Sequence, residues 1–256
     1  MWLFLKNHIC VLHRMITPKK ISLSGLKKTQ NSISLQTKNN YEWIIIDGNS
    51  TDATKDYVLN SLKNHKYISE NDAGIYDAMN KGIRISSGGY VVFLNAGDTF
   101  LHAHVLDSVE KIIQKSEHCD MFFCGANLKF GSKFHYRPVR KIEKYIWHGL
   151  PANHQATFFK LSSIANNLYS NKYKLSGDYY IVAKIYMAKS LSAYYDEPVV
   201  NFSMGGFFLS EPCSSIKRSL FNTKTHTKSI FISSFIECVK KNFDLYSYKI
   251  FLYMSV

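Results

Sequence analysis

The chain has no apolar run of about 18 residues or more, so nothing in it reads as a membrane-spanning helix. Its five cysteines (Cys10, Cys119, Cys124, Cys213 and Cys238) are odd in number and form no C-x-x-C pair. That spacing points to neither a disulfide framework nor a structural zinc site, and reduced thiols in a cytoplasmic protein are the simplest account. A secretory leader is not expected, because Met1–Lys6 places only four apolar residues between the initiator and a lysine. Acidic residues are scarce at both ends. Residues 1–40 carry seven bases and no acid, and residues 213–256 carry seven bases and two acids. The formal charge of +13 therefore sits at the ends, because residues 41–212 balance 18 bases against 17 acids. A nucleic-acid enzyme needs a basic surface around its working groove, so this distribution argues against nucleic acid as a partner. Basic ends around a neutral body fit either docking on an anionic membrane surface, at the inner face of the plasma membrane, or simple solvated faces.

Core material is plentiful. A hydrophobic fraction of 46% over 256 residues is enough for one sizeable core, alone or with a small annex. Tyr41–Asp47 (YEWIIID) reads as a buried strand that ends in the turn Asp47-Gly48-Asn49-Ser50. Asn49 or Ser50 is placed to cap a following helix whose apolar positions include Val58, Leu59 and Leu62. Tyr67–Ser69 is a short second strand. In the next helix Ile75, Ala78, Met79, Gly82 and Ile85 share one face, and Gly88-Gly89 stops it. Tyr90–Leu94 is a third strand, ending at Asn95-Ala96-Gly97-Asp98. Strand–helix–strand–helix–strand with short connections is the pattern of a parallel α/β sheet. Such sheets bind ligands at the carboxyl ends of their strands, which places Asp47 and Asp98 on one rim.

After Asp107 the pattern loosens. Helices are predicted over Leu106–Ile113 and Asp178–Ala188, and strands over Met121–Cys124, Gln155–Lys160 and Tyr194–Val200. In the tail, Phe231, Phe235, Cys238, Val239 and Phe243 can line one helical face with Lys240 and Lys241 opposite, suited to a membrane interface or to packing on the main domain. Asp98 follows a buried strand and a glycine, where a carboxylate can hold Mg2+ or Mn2+ against a substrate phosphate or can cap its own turn.

Five blocks, in order, resemble glycosyltransferase family 2, and within it the bacterial polysaccharide-assembly type similar to colanic-acid glycosyltransferases. They are Asp47–Thr54 (DGNSTDAT), Gly74–Ile83 (GIYDAMNKGI), Phe93–Asp98 (FLNAGD), His154–Phe159 (HQATFF) and Ser176–Tyr180 (SGDYY). The resemblance covers about residues 22–205 and implies a GT-A fold: an α/β, mainly parallel central sheet flanked by helices. It divides the chain into a basic N-terminal segment with the first helix (1–40), a nucleotide-sugar-binding half (41–105), an acceptor-binding and catalytic half (106–212) and a basic helical tail (213–256). The implied function is inverting transfer of a sugar from a UDP- or GDP-sugar donor to a glycan or polyprenyl-linked acceptor in bacterial surface polysaccharide synthesis. The implied cofactor is a divalent cation, Mn2+ or Mg2+.

Carried over by block, Asp178 takes the catalytic-base position and Asp98 the metal position. Asp47, Ser50, Asp77, Asn80 and Asn95 fall on the nucleotide-sugar side, and His154 and Gln155 line the acceptor side. The chain departs from the family where Asn95 and Gly97 replace further aspartates and where Met79 replaces a common arginine. The largest departure is the start. The helix Ser24–Gln36 matches the segment after the family's first strand, but upstream only Ile9–Val11 or Met15–Thr17 offers a short strand, with His13-Arg14 interrupting and Pro18 ending the run. An atypical or degraded first strand opens the alternative of a catalytically impaired remnant or partner subunit.

Overall fold

The computed structural model describes residues 9–15, 23–116, 119–170, 173 and 176–203. The tail 213–256, with its expected amphipathic helix, lies outside the described residues. Among them no helix is long and apolar enough to cross a membrane.

Among the described residues nine strands form one sheet in the order β3-β2-β1-β4-β8-β6-β9-β5, with β7 hydrogen-bonded to β6. The first four positions are parallel. β1 (Ile9–Met15) lies between β2 (Tyr41–Asp47) and β4 (Tyr90–Asn95), and β3 (His65–Ser69) flanks β2. β1 matches β2 from Ile9↔Tyr41 to Met15↔Asp47 and matches β4 from Ile9↔Tyr90 to Arg14↔Asn95. The first strand is thus atypical in sequence but regular in pairing, and longer than the short strand expected. The physical reason is the double ladder: a central strand takes backbone hydrogen bonds from both neighbours, and these outweigh an unfavourable local pattern. His13 and Arg14 also fall near its carboxyl end, level with Ile45 and Ile46, where the sheet reaches its rim.

The other half is mixed. β6 (Met121–Phe130) pairs antiparallel with β8 (Thr157–Lys160) and β7 (Lys133–Arg137), and parallel with β9 (Ser192–Ser203). β8 joins the two halves by an antiparallel pair with β4, and β5 (Thr99–Phe100) closes the far edge against β9. The expected parallel character therefore belongs to β3-β2-β1-β4. The two-residue β5 and the hairpin strand β7 carry too little apolar pattern to be read from sequence.

Alternation along β2 and β4 divides the core. Trp43, Ile45, Val92 and Leu94 face one cluster, which α1 (Leu23–Ser34), α2 (Thr54–Ser61) and α4 (Val105–Lys115) complete through Leu26, Ile33, Val58, Val109 and Ile113. Ile44, Ile46, Val91 and Phe93 face the other, with Met79 and Ile83 of α3 (Ile75–Ile85), Ile164 of α6 (Leu161–Ala165) and Ile181, Val182 and Ile185 of α7 (Gly177–Met187). A strand buried on both faces needs an unbroken apolar run, which Trp43–Ile46 provides. Two local expectations change. Leu59 is 59% exposed, because α2 buries the stripe Thr54, Val58 and Leu62, and Leu59 lies one residue off it. Neither Asn49 nor Ser50 caps α2. The Asp52 carboxylate accepts from Thr54 N at 3.0 Å instead, while Asn49 and Ser50 are engaged elsewhere.

β6 shifts register against β9 on both sides of Gly125, which lies opposite Pro198. A Cβ there would fall 2.9 Å from the Glu197 carbonyl and the Tyr136 ring. This bulge bends the strand pair and needs the small residue. Gly125→Ala is expected to cost about 1–3 kcal/mol in urea-monitored unfolding. An unchanged midpoint would show that the bulge relaxes freely.

Candidate functional site

Two of the predicted positions open the parallel rim. Asp47 ends β2 and is fully buried. Its carboxylate accepts from Ser50 N at 3.1 Å, from the Ser50 hydroxyl, from Tyr67 OH at 3.0 Å and from Ser69 OH at 2.9 Å. A carboxylate buried away from water needs such hydrogen-bond donors. Burial and the neighbouring charge push the Tyr67 hydroxyl up to about 12, so it remains a donor. Asp47 and Ser50 together brace the loop that leaves β2 against the end of β3. Asn49 adopts a left-handed φ of 65°, and its amide donates to Asn71 Oδ1 at 3.2 Å, so the braced loop is tied to the β3–α3 connection.

Asn95 and Asp98 form the next part of the rim. β1 sets the distance: Met15 is level with Asp47, and Arg14 with Asn95. Asp98, only 2% exposed, accepts from Asn95 N and from Ser203 N, both at 3.0 Å. Gly97, at φ 102°, turns the chain between them, and Thr29 of α1 donates to Asp98 O at 2.7 Å while accepting from Gly97 N at 3.0 Å. Burial pushes the Asp98 carboxyl up to about 7, against the pull of its Ser203 and Asn95 hydrogen bonds.

Do these residues suit a divalent cation? Among the described residues no group of three or more His, Cys, Asp or Glu gathers. The rim does offer two hard oxygens. Asp98 keeps lone pairs beyond its two backbone bonds, and Asn95 Oδ1 is buried with no hydrogen-bond partner. Mg2+ and Mn2+ are commonly held by one or two protein oxygens with the rest from water and substrate phosphate, and this pair fits that minimum.

The remaining positions gather beneath β4. Phe93, two residues before Asn95, stacks on His154 (ring centroids 5.1 Å apart) and meets Tyr169 edge-on at 5.8 Å. His154 lies in the 3-10 turn His154–Ala156, whose first turn is capped by the Asn153 side chain accepting from Gln155 N at 3.0 Å. His154 Nε2 is 2.7 Å from Tyr169 OH. Burial lowers the imidazole pKa and raises the phenol, so both are neutral at pH 7. Gln155 is buried in the same turn. Asp178 stands in the first turn of α7 and accepts from Tyr179 N at 2.9 Å. Its charge is felt by His154, Tyr169 and Arg137, which brings the candidate base into this cluster.

Tyr76 fixes where Asp178 sits. Its ring stacks on Tyr169 at 5.3 Å, and its hydroxyl accepts from Gly177 N at 2.9 Å. A Cβ on Gly177 would meet that ring at 2.6 Å, so only glycine lets α7 begin here. Asn80 donates to Tyr169 O and accepts from Tyr169 N, both at 2.9 Å. Buried and with both amide functions engaged, Asn80 serves in this structure as a brace rather than a ligand-facing group. Asp77 is likewise occupied. It accepts from Ala73 N at 3.1 Å and pairs with Lys81 at 3.3 Å, and these hold its carboxyl below the usual range, the backbone bond first. Sequence reasoning passed over Tyr76, although it lies inside the Gly74–Ile83 block, and it missed Tyr169 and Arg137, which stand in no recognisable motif.

A sheet with a parallel half and a mixed half, with carboxylates on its rim and in the first turn of α7, defines a GT-A-type α/β domain. The chain belongs to glycosyl transferase family 2, whose family model matches residues 16–174. It is 27% identical over 154 residues to the PGL/p-HBAD biosynthesis glycosyltransferase of Mycobacterium tuberculosis, covering 58% of this chain and 59% of that one. It is 32% identical over 155 residues to an uncharacterised glycosyltransferase of the same organism, covering 59% of each. The chain thus spans about three fifths of the length of these relatives. Its fold is similar to Staphylococcus aureus TarS 1-349 in complex with UDP-GlcNAc (TM-score 0.65, 16% identity, 80% of this chain and 61% of that one). It is also similar to the mannosyltransferase PcManGT from Pyrobaculum calidifontis in complex with GDP-Man and Mn2+ (TM-score 0.60, 14% identity, 80% and 59%).

Two outcomes follow from this geometry. Asn80→Ala leaves the Tyr169 main-chain N–H and C=O unpaired in the interior, and should lower unfolding free energy by about 1–3 kcal/mol in chemical denaturation. A change within error would remove Asn80 as the brace. For Asp98 the folded pKa lies above its ordinary value of 3.8, so the native state takes up a proton first. Its contribution to stability therefore grows as pH falls from about 7 toward 4. The thermal midpoint of Asp98→Asn relative to wild type should rise with pH across that window. A constant difference would contradict a buried, proton-hungry Asp98.

Proposed function

We propose that this chain moves a sugar from a nucleotide-diphosphate sugar, with UDP or GDP as the nucleotide, to a hydroxyl of a glycan or polyprenyl-linked acceptor, with inversion at the anomeric carbon. The observation that carries this reading is the continuity of the site. Asn95, which shares the rim with Asp98, is separated by one strand residue from Phe93; Phe93 packs on His154 and Tyr169, and Tyr169 stacks on Tyr76, whose hydroxyl is bonded to Gly177 beside Asp178. Membership of glycosyl transferase family 2 and the nucleotide-sugar complexes of the structural relatives support it.

In this mechanism Asp178 accepts the proton of the attacking hydroxyl while the C1–O bond to the diphosphate breaks on the opposite face. The neutral His154–Tyr169 pair does not compete for that proton and holds the acceptor side dry and shaped. Asp47, Ser50 and Asp77 keep the rim loops in place for the nucleotide, and Asn80 keeps Tyr169 under the acceptor. When bound, a divalent cation held by Asp98 and Asn95 Oδ1 supplies charge compensation for the departing diphosphate. The regular pairing of β1 weighs against the reading of an impaired remnant. Polysaccharide assembly at the inner face of the plasma membrane suits the basic ends, whose attraction to anionic lipid needs no spanning helix.

The test is a donor panel with Mn2+, followed by Asp178→Asn. Wild type should turn over at least one UDP- or GDP-sugar. The variant should lose about 100-fold or more in kcat with donor affinity unchanged, because removing a base acts on the transition state. Lost donor affinity with an unaltered kcat would assign Asp178 a structural role. Failure with every donor would overturn the reading.

A further inference from the structure

Between the end of β7 and the chain that leads into the 3-10 turn lies a cavity that the mechanism above does not use. It measures about 130 Å3 and is lined by Arg137, Pro138, Arg140, Tyr145, Leu150 and Pro151. Two chain passages frame it. Arg137 ends β7 and Arg140 precedes α5 (Ile142–Tyr145), while Leu150 and Pro151 lead into the 3-10 turn that carries His154. Arg140 N donates to Pro151 O at 2.8 Å, and Arg137 Nη2 donates to Leu150 O at 3.1 Å, so the walls are held on both sides.

Arg137 is the unusual member. A guanidinium has five N–H donors, and a single hydrogen bond uses one of them. No ion pair among the described residues includes it. Burial pulls its pKa down. A withdrawn cation with unspent donors is costly unless something pairs with it. Arg140, at the exposed lip, adds a second guanidinium. Its charge acts on Asp196, which is itself partnered by Tyr136 OH at 2.7 Å and Val139 N at 2.8 Å. The planar fork of Arg137 matches an oxyanion better than a hydroxyl, and Tyr145 and the two prolines leave room for one such group.

We propose that this cavity is an acceptor subsite for an anionic oxygen group, a phosphate or a carboxylate, with Arg137 as its principal ligand and Arg140 at its mouth. The inference rests on the sugar-transfer reading only in calling the ligand the acceptor; the recognition itself comes from the cavity. It requires that the acceptor of this chain carry negative charge, because one wall of the subsite runs into the turn that carries His154 on the acceptor side.

Calorimetric titration of the whole chain with three amphiphiles tests it without turnover: octyl glucoside (neutral), octyl glucuronide (carboxylate) and octyl phosphate. Each is used below its micelle concentration. Wild type should bind one or both anions about tenfold tighter or more than the neutral glycoside. The stronger arm identifies phosphate or carboxylate. Arg137→Gln should remove the preference while Mn2+-dependent UDP or GDP binding is retained, and Arg140→Gln should weaken it less. Equal affinity for all three ligands in wild type, or a preference that survives Arg137→Gln, would overturn the subsite even if Arg137→Gln proved too unstable to compare. Absence of UDP and GDP binding alongside an Arg137-dependent anion preference would instead sink the sugar-transfer reading and leave the subsite standing.

Discussion

Asp98 spends both carboxylate oxygens on main-chain N–H groups, one from Asn95 at the end of β4 and one from Ser203 at the end of β9. These strands belong to different halves of the sheet, so one buried side chain ties the parallel half to the mixed half at the rim. Thr29 of α1 grips the same turn from the opposite side, and Ser203 Oγ adds a bond to Gly97 O at 3.0 Å. A carboxylate so withdrawn from water is ionised only reluctantly. Ligation of a cation would return a favourable charge partner to it. The residue that closes the fold at this point is thus the one whose electrostatic cost a bound cation would offset.

The second organising feature is aromatic. Phe93, His154, Tyr169 and Tyr76 pile from β4 toward α7, and the Tyr76 hydroxyl ends the pile on Gly177 N. Each contact is worth about 0.5–1.5 kcal/mol beyond area burial, but the greater consequence is geometric. Asp178 follows Gly177 directly, so its place is set by a rigid stack rather than by a loop. Asn80 then locks Tyr169 through two main-chain bonds. Residues of the second-helix block therefore act on the candidate base from a distance, by fixing what it rests on.

Much of this was legible in the sequence. β2, α3, β4 and α7 were read to within a residue or two because apolar periodicity and glycine punctuation agree there. The common rim of Asp47 and Asp98 followed from the rule that ligands meet parallel sheets at their carboxyl ends. β1 was underrated, since His13-Arg14 weakens the local pattern while the stabilising ladders come from residues about 30 and 80 positions away. The braces were not legible at all. That Asn80 binds a main chain 89 residues on depends on a tertiary contact that no spacing encodes, whereas the Ser50–Asp47 bond is a local contact that competes with capping of α2.

Charge placement sharpens the chemistry. The ion pairs among the described residues (Lys38–Glu110, Lys66–Glu42, Lys81 with Glu70 and Asp77, Lys111–Asp107) leave Asp47, Asp98 and Asp178 out. Asp47 and Asp98 are satisfied by hydroxyl and main-chain donors, which stabilise a carboxylate without cancelling its charge at longer range. An ionised Asp98 would repel a nucleoside diphosphate arriving at this rim, and at short range in a low-dielectric pocket that repulsion is large. Lysine or arginine on the rim would relieve it, but the position where the family commonly has an arginine holds Met79, a core residue packed with Ile83 and Phe93. In the proposed reaction a cation held by the Asn95–Asp98 oxygens would supply that relief.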